Sequence, residues 1–335
     1  GEGPDGALWI GTRKGLNRLK DGKLTTFTKR NGLPNDTVIV VYADSQGAIW
    51  IGTRSGLSRW KDRQFTTFTT RNGLSNNVVQ ALYEDRKHRL WIGTAGGGLD
   101  LFENGRFKAL DTHHGLSNDV VLAIHEDSQG TLWIGTDGGG LVRLKDGHFS
   151  SLTTKDGLLD DAIFRVLEDD AGNLWMSSNK GIFRARLQAL NDFAEKKISR
   201  IPVISYGVSD GMNTRECNGG FQPAGWKSHD GRLWFPTMRG VVVTDPRKLA
   251  NGARQQLTVI EQVVADSRDF PAQSSLQVPP GAGELEFHFS APNLRAAHRI
   301  DFQYQLEGFD TAWVHAGQRR TAYYTNIPPG RYRFR

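Results

Sequence analysis

The sequence has 335 residues, 38% of them apolar and 23% charged, enough for one large core or two smaller ones. Its net charge of +6 is dispersed, with Glu195-Lys196-Lys197 and Arg319-Arg320 the nearest approach to a basic cluster, which argues against a nucleic-acid surface. A lone Cys217 excludes a disulfide within these residues and a cysteine-built zinc site, and neither a signal peptide nor an 18-residue apolar run is present.

Taken in order, the chain keeps returning to one stretch. Leu8-Trp9-Ile10-Gly11-Thr12 comes first and recurs around Trp50, Trp91 and Trp133, with looser copies at Trp175 and Trp234. The intervals between these tryptophans are 41, 41, 42, 42 and 59 residues. A fixed period of this size is the mark of a repeat architecture.

One unit shows what is repeated. Val38-Ile39-Val40-Val41-Tyr42 is an unbroken run of strand formers, and Asp44-Ser45-Gln46-Gly47 is a turn. Ile49-Trp50-Ile51 is a second strand, Gly56 to Trp60 a third, and Phe65 to Thr69 a fourth. Four short strands in about 41 residues is the content of a propeller blade. The first strand does not alternate between apolar and polar residues, as expected of a strand covered on both faces near the propeller axis. The 42-residue intervals arise from Ala95-Gly96-Gly97-Gly98 and Asp137-Gly138-Gly139-Gly140, each one residue longer than Arg54-Ser55-Gly56. These glycines are read as compact turns, and a ligand approaching their backbone is the rival reading.

After Phe183 the rhythm breaks. Leu187, Leu190, Phe193 and Ala194 fall at helical spacing, which predicts a short amphipathic helix inserted at about 185–198. A long loop, Asn213 to Gly220, follows and leads into an atypical inner strand at Gly225-Trp226. Asp245-Pro246-Arg247-Lys248-Leu249 leaves the array. Beyond it strand patterns recur at Leu257 to Val264, Glu284 to Ser290, Phe302 to Leu306 and Tyr332 to Phe334. In the second of these, Leu285, Phe287 and Phe289 share a face, the alternation of a sheet packed on one side. The expected architecture is all-β: a β-propeller of four-stranded blades over 1–249, then an incomplete immunoglobulin-like β-sandwich over 255–335. Both ends look cut, so a longer parent chain is expected.

A propeller binds where loops from several blades meet at the axis. The loops after the second strands carry Arg13, Arg54, Ala95, Asp137, Asn179 and Met238 at equivalent positions, differing in chemistry on a constant framework. Asn35, Asn76, Asn118 and Asp160 lie in the links between blades and are read as turn caps. Asn213, Arg215, Glu216 and Asn218 gather amides, a guanidinium and a carboxylate in the long loop, with Trp226 soon after; such groups hydrogen-bond and stack against a sugar. The expected ligand contacts are Arg13, Arg54, Asp137, Asn179, Asn213, Arg215, Glu216, Asn218 and Trp226. The repeated tryptophans are read as core. No catalytic pair, metal-ligand spacing or cofactor motif stands out; Glu84, Glu126 and Glu168 read as turn and edge residues.

The unit Asn-Gly-Leu-(Pro/Ser)-Asn-(Asp/Asn), an apolar strand, then Asp-x-x-Gly-x-Leu-Trp-Ile-Gly-Thr resembles the two-component-regulator propeller repeat. The stretches Asn31 to Thr53, Asn72 to Thr94 and Gly115 to Thr136 carry it, and Gly157 to Ser178 does so more loosely. Tyr304 to Asp310 with Trp313, then Tyr324 to Tyr332, resembles the three-tyrosine domain that follows such propellers. The resemblance implies a seven-bladed parent propeller of which about six units are present. It also implies the periplasmic sensor region of a bacterial, membrane-anchored histidine kinase, often a hybrid. The implied ligand is a small molecule or oligosaccharide, sensed by a homodimer formed through the sandwich domain, without enzymatic activity in this region. A diguanylate cyclase receptor, a protein-interaction propeller and a propeller lyase or hydrolase are the alternatives.

Overall fold

A computed structural model describes residues 1–249, 258–273, 275–291, 302–317 and 319–335. The chain divides into two compact units, Gly1–Leu249 and Ala250–Arg335.

The first unit is a β-propeller of six antiparallel sheets, one for each of the six repeat-marking tryptophans. Four have four strands in chain order: Val38–Phe68, Val79–Leu110, Val121–Leu152 and Arg165–Tyr206. The first sheet, Leu8–Phe27, and the sixth, Trp226–Thr244, have three. At the first sheet Gly1 and Trp9 exchange backbone hydrogen bonds of 2.7 and 2.8 Å, a fragment of the inner strand. The predicted helix forms over Leu187–Ala194, and its Asn191 accepts from the buried Arg143 Nε at 2.7 Å.

The repeated residues form one hydrogen-bonded fastening per blade. Asp44, Asp85, Asp127 and Asp169 each turn one oxygen to two backbone amides of their own turn. The other oxygen accepts from the indole of Trp50, Trp91, Trp133 or Trp175 at 2.7 to 2.9 Å. Ser228 does this for Trp234 at 3.0 Å. A buried indole N–H needs such a partner, so Asp and Trp recur together. Glu84 and Glu168 reach back to the preceding blade, accepting from the amide and hydroxyl of Ser45 and Ser128, and Glu126 accepts from the Arg86 amide. These glutamates stitch blade to blade. Of the repeat-marking tryptophans, Trp9, Trp50, Trp91, Trp133 and Trp175 are buried core, as the sequence indicates.

The two glycine runs are compact turns. Gly96 and Gly98 both donate to the Asp119 carbonyl, and Gly138 and Gly140 to that of Asp161. Gly98 has φ of 82°, and a Cβ on Gly97 would stand 2.5 Å from Ser75 Oγ. The amides of Gly96, Gly97, Gly98, Gly138 and Gly140 are used within the protein, and Gly97, Gly98, Gly139 and Gly140 leave no room for a side chain, which favours the compact-turn reading.

In the second unit Val259–Ala265, Arg268–Pro271, Leu285–Ser290 and Thr321–Tyr324 form a four-stranded sheet, facing a core with Phe302, Tyr304 and Phe334. Leu257, the expected start of the first strand, lies outside the described residues. Phe287 and Phe334 stack at 4.0 Å, Tyr304 and Tyr324 meet edge to face, and Tyr332 donates to the Pro328 carbonyl at 2.8 Å. Burial and the Asp310 carboxylate together push the Tyr324 hydroxyl far above its ordinary value.

Candidate ligand site

Strand direction alternates within a blade, so its loops fall at two ends. The links between blades and the loops after the second strands share one end, here the loop end. The Asp-x-x-Gly turns between first and second strands lie at the other, the turn end. Arg13, Arg54, Asp137 and Asn179 are at the loop end and exposed, and so are Asn213, Arg215, Glu216 and Asn218. Among the described residues no hydrogen bond or ion pair joins any of these side chains to another. Asn218 Nδ2 donates to the Thr237 carbonyl at 3.1 Å, and the backbone of Glu216 accepts from Met238. Asn35, Asn76 and Asn118 cap their own turns, accepting from amides two residues on at 2.8 to 2.9 Å.

Trp226 is not with them. It pairs with Trp234 on the inner strand of the sixth blade, near the turn end. Between it and Asn218 the chain crosses toward the second and third blades. The Gln222 amide donates to the Ile39 carbonyl at 3.2 Å, and its side chain accepts from the Leu82 amide at 2.7 Å and donates to the Leu82 carbonyl at 3.0 Å. Inner strands have a free edge toward the axis, and Gln222 satisfies part of it as a strand would. The expectation that Asn213 to Asn218 and Trp226 form one cluster is corrected on this point: seven residues of axial crossing separate them.

Trp226 instead borders a cavity of about 640 Å³ at the turn end. Its walls come from four successive blades and include Tyr83, His125, Arg165, Glu168, Asp170 and Lys227. The repeat explains this meeting. Eight residues before each tryptophan from Trp50 onward stand Tyr42, Tyr83, His125, Leu167 and Trp226, a run of mostly aromatic positions around the inner strands. Tyr83 and His125 meet edge to face at 6.3 Å, and the Trp226 indole is 59% exposed. Ten residues before each tryptophan stand Val40, Ala81, Ala123, Arg165 and Ala224. In one blade a guanidinium replaces a small buried apolar residue.

The electrostatics follow from burial. Burial works against ionisation of Glu168, but His125 and the two bonds from Ser128 outweigh it and hold the carboxyl below its ordinary value. The Asp169 carboxylate is taken by its turn, Asn173 and Trp175, and Asp170 pairs with Lys227 at 2.6 Å. Burial raises the Tyr83 hydroxyl to about 12 and pulls the Arg165 guanidinium down to about 10. Arg165 Nε is buried without a hydrogen-bond partner, while His125 Nε2 faces Glu168 Oε2 at 3.6 Å. The mouth therefore offers an exposed indole, a hydroxyl-bearing ring and the Arg165 guanidinium. Cys217 is buried at the loop end, its thiol raised to about 11 by burial, and is no nucleophile. Neither Arg165 nor His125 was among the expected contacts; the register of the repeat, read column by column, is the signal that exposes them.

The two component regulator propeller family matches residues 32–55, 73–96 and 115–138, and the Y_Y_Y domain matches residues 296–335. No curated protein matches the chain. Among solved structures, the extracellular domain assigned to a hybrid two component system of B. thetaiotaomicron aligns over 99% of this chain and 46% of its own, at 23% identity and TM-score 0.74. One assigned to a one component system of the same organism aligns over 100% and 52%, at 17% identity and TM-score 0.56. The chain thus spans about half the length of these two. Virginiamycin B lyase from Staphylococcus aureus aligns over 72% of this chain and 81% of its own, at 14% identity and TM-score 0.54. At these identities the likeness is one of fold. The chain thus carries repeats that match the two component regulator propeller and, after them, a stretch that matches the Y_Y_Y domain.

Proposed function

We propose that this chain is the extracytoplasmic, ligand-binding sensor module of a two-component receptor, and that it binds a carbohydrate at the turn-end mouth of the propeller. The observation that carries the reading is the cavity: an exposed Trp226 indole beside the Arg165 guanidinium, whose Nε has no hydrogen-bond partner, where four blades converge. An aromatic face with a few oriented polar groups suits a sugar ring, whose C–H face stacks while its hydroxyls hydrogen-bond. The likeness to extracellular domains assigned to a hybrid two component system and a one component system supports the sensor role. The carboxylates near the mouth are committed to turns, an indole and ion pairs, which favours recognition over acid–base chemistry. In this account binding alters how sensor domains pair, through the sandwich unit, and a membrane-anchored parent passes the change to a cytoplasmic kinase.

The test is calorimetric titration of the protein with a panel of neutral and acidic oligosaccharides. Trp226→Ala weakens binding about tenfold or more, in line with the loss of a stacking platform of about 1–2 kcal/mol. Arg54→Ala and Arg215→Ala leave it unchanged. Binding that survives Trp226→Ala and falls with the two arginine variants would move the site to the loop end.

A further inference from the structure

The mouth contains a charge that the fold leaves unanswered. Arg165 sits where the other blades carry Val40, Ala81, Ala123 and Ala224, all buried. Among the described residues no carboxylate lies within ion-pair distance of its guanidinium. The groups whose charge acts on it are the hydroxyls of Tyr42 and Tyr83, and burial holds both neutral over a wide pH range. Its stem packs over Gly225, where a Cβ would lie 3.0 Å from Arg165 Cγ, so the side chain has a fixed bed. Each nearby carboxylate already has its partners: Glu168 with Ser128, Asp169 with Trp175 and Asp170 with Lys227. Arg165 is half-buried, with no counter-charge and a buried, unpartnered Nε, which costs the folded state, and a small apolar residue at this register would avoid that cost. A sequence that breaks its own repeat at a destabilising position does so for a ligand more often than for the fold.

We infer that the sugar bound at this mouth is acidic, its carboxylate received by the Arg165 guanidinium while its ring lies against Trp226. This rests on the carbohydrate-sensor reading and adds the substrate class to it. A planar guanidinium matches a carboxylate through two parallel N–H···O bonds, and in a buried setting that pair discriminates strongly against a neutral isostere. The rim carboxylates Glu168 and Asp170 select for one anionic group at Arg165 and against a densely charged chain.

Trimers of galacturonate, glucuronate and mannuronate are titrated alongside their methyl esters, which keep the shape and remove the charge, and alongside neutral trimers. At least one acidic trimer binds, with its ester weaker by about thirtyfold or more. Arg165→Val, which installs the residue of the second blade, abolishes the preference for acid over ester. Without ligand the same variant melts at a higher temperature than the wild type, which shows that it folds. Arg165→Lys keeps part of the preference. Equal affinity for acid and ester, or a preference that survives Arg165→Val, overturns the inference. If neutral trimers bind in a Trp226-dependent way and no acidic one does, the acidic ligand is wrong and the sensor reading stands. If nothing in the panel binds, both fall.

Discussion

Single residues in this propeller are interpretable because the repeat supplies its own controls. Asp100 stands in a third strand where the neighbouring blades have Ser58 and Val142, and like them it is fully buried. Burial raises its carboxyl to about 6 against the partial relief of two bonds from Ser75, and its second oxygen has no partner. In the unfolded chain the same carboxyl titrates near about 4. Between those values the folded state holds a proton that the unfolded state has released, so stability falls as pH rises from about 4 to 6 and stays lower above it. Asp100→Asn removes the charge. It is therefore expected to be more stable than the wild type at pH 7, by at most about 3 kcal/mol, with the difference closing toward pH 4. Urea titrations at pH 7 and pH 4.5 measure this; an equal difference at both would mean that proton binding at Asp100 is not its source. The value of Asp100 could not be read from sequence, where an acidic residue in an exposed-looking Leu-Asp-Leu-Phe strand gives no sign of its depth.

At the scale of the element, the blade is the unit of burial, and its two faces make different contacts. In the second blade Ile49 and Ile51 pack against Trp9 of the first, while Trp50 packs toward Leu90 and Ile92 of the third. The same positions in the first blade, Leu8 and Ile10, are 45% and 39% exposed, whereas Ile51, Ile92 and Ile134 are fully buried. At the other end of the array Val241 is 61% exposed where Leu57, Leu99 and Leu141 are fully buried. The outward faces of the first and sixth blades are thus uncovered apolar surface, and the array is not closed by packing one on the other. Ile51→Lys places an unpaired charge between blades and should cost more than about 4 kcal/mol, while Ile10→Lys, on the bare face, should stay within about 1 kcal/mol. Chemical denaturation of the two variants compares them directly; equal losses would show that the first blade's outward face is covered in solution. The blade content itself was legible, because Trp, Gly and Asp recur at fixed spacing for reasons of hydrogen bonding and turn geometry. The glycine runs were legible as turns for the same reason.

Over the whole molecule, the repeats were legible in the sequence, whereas the three-dimensional arrangement of the candidate binding residues was not. Variation among Arg13, Arg54, Asp137 and Asn179 suggested recognition at the loop end, but exposed loops vary without constraint, and nothing in the structure draws those side chains together. The long loop before the sixth blade was visible as an irregularity. That its Gln222 would cross to Leu82 was not, since 140 residues separate the partners and a single glutamine carries no pattern. The crossing is what sets Asn213 to Asn218 apart from Trp226, which borders the open cavity at the turn end. The account stands or falls on which end of the propeller a ligand covers. Hydrogen–deuterium exchange with and without the tightest-binding trimer measures this most directly. Protection gathered at Arg165 to Gly172 and at Trp226-Lys227 is the predicted result. Protection confined to Arg54, Asp137, Asn179 and Asn213 to Asn218 would contradict it.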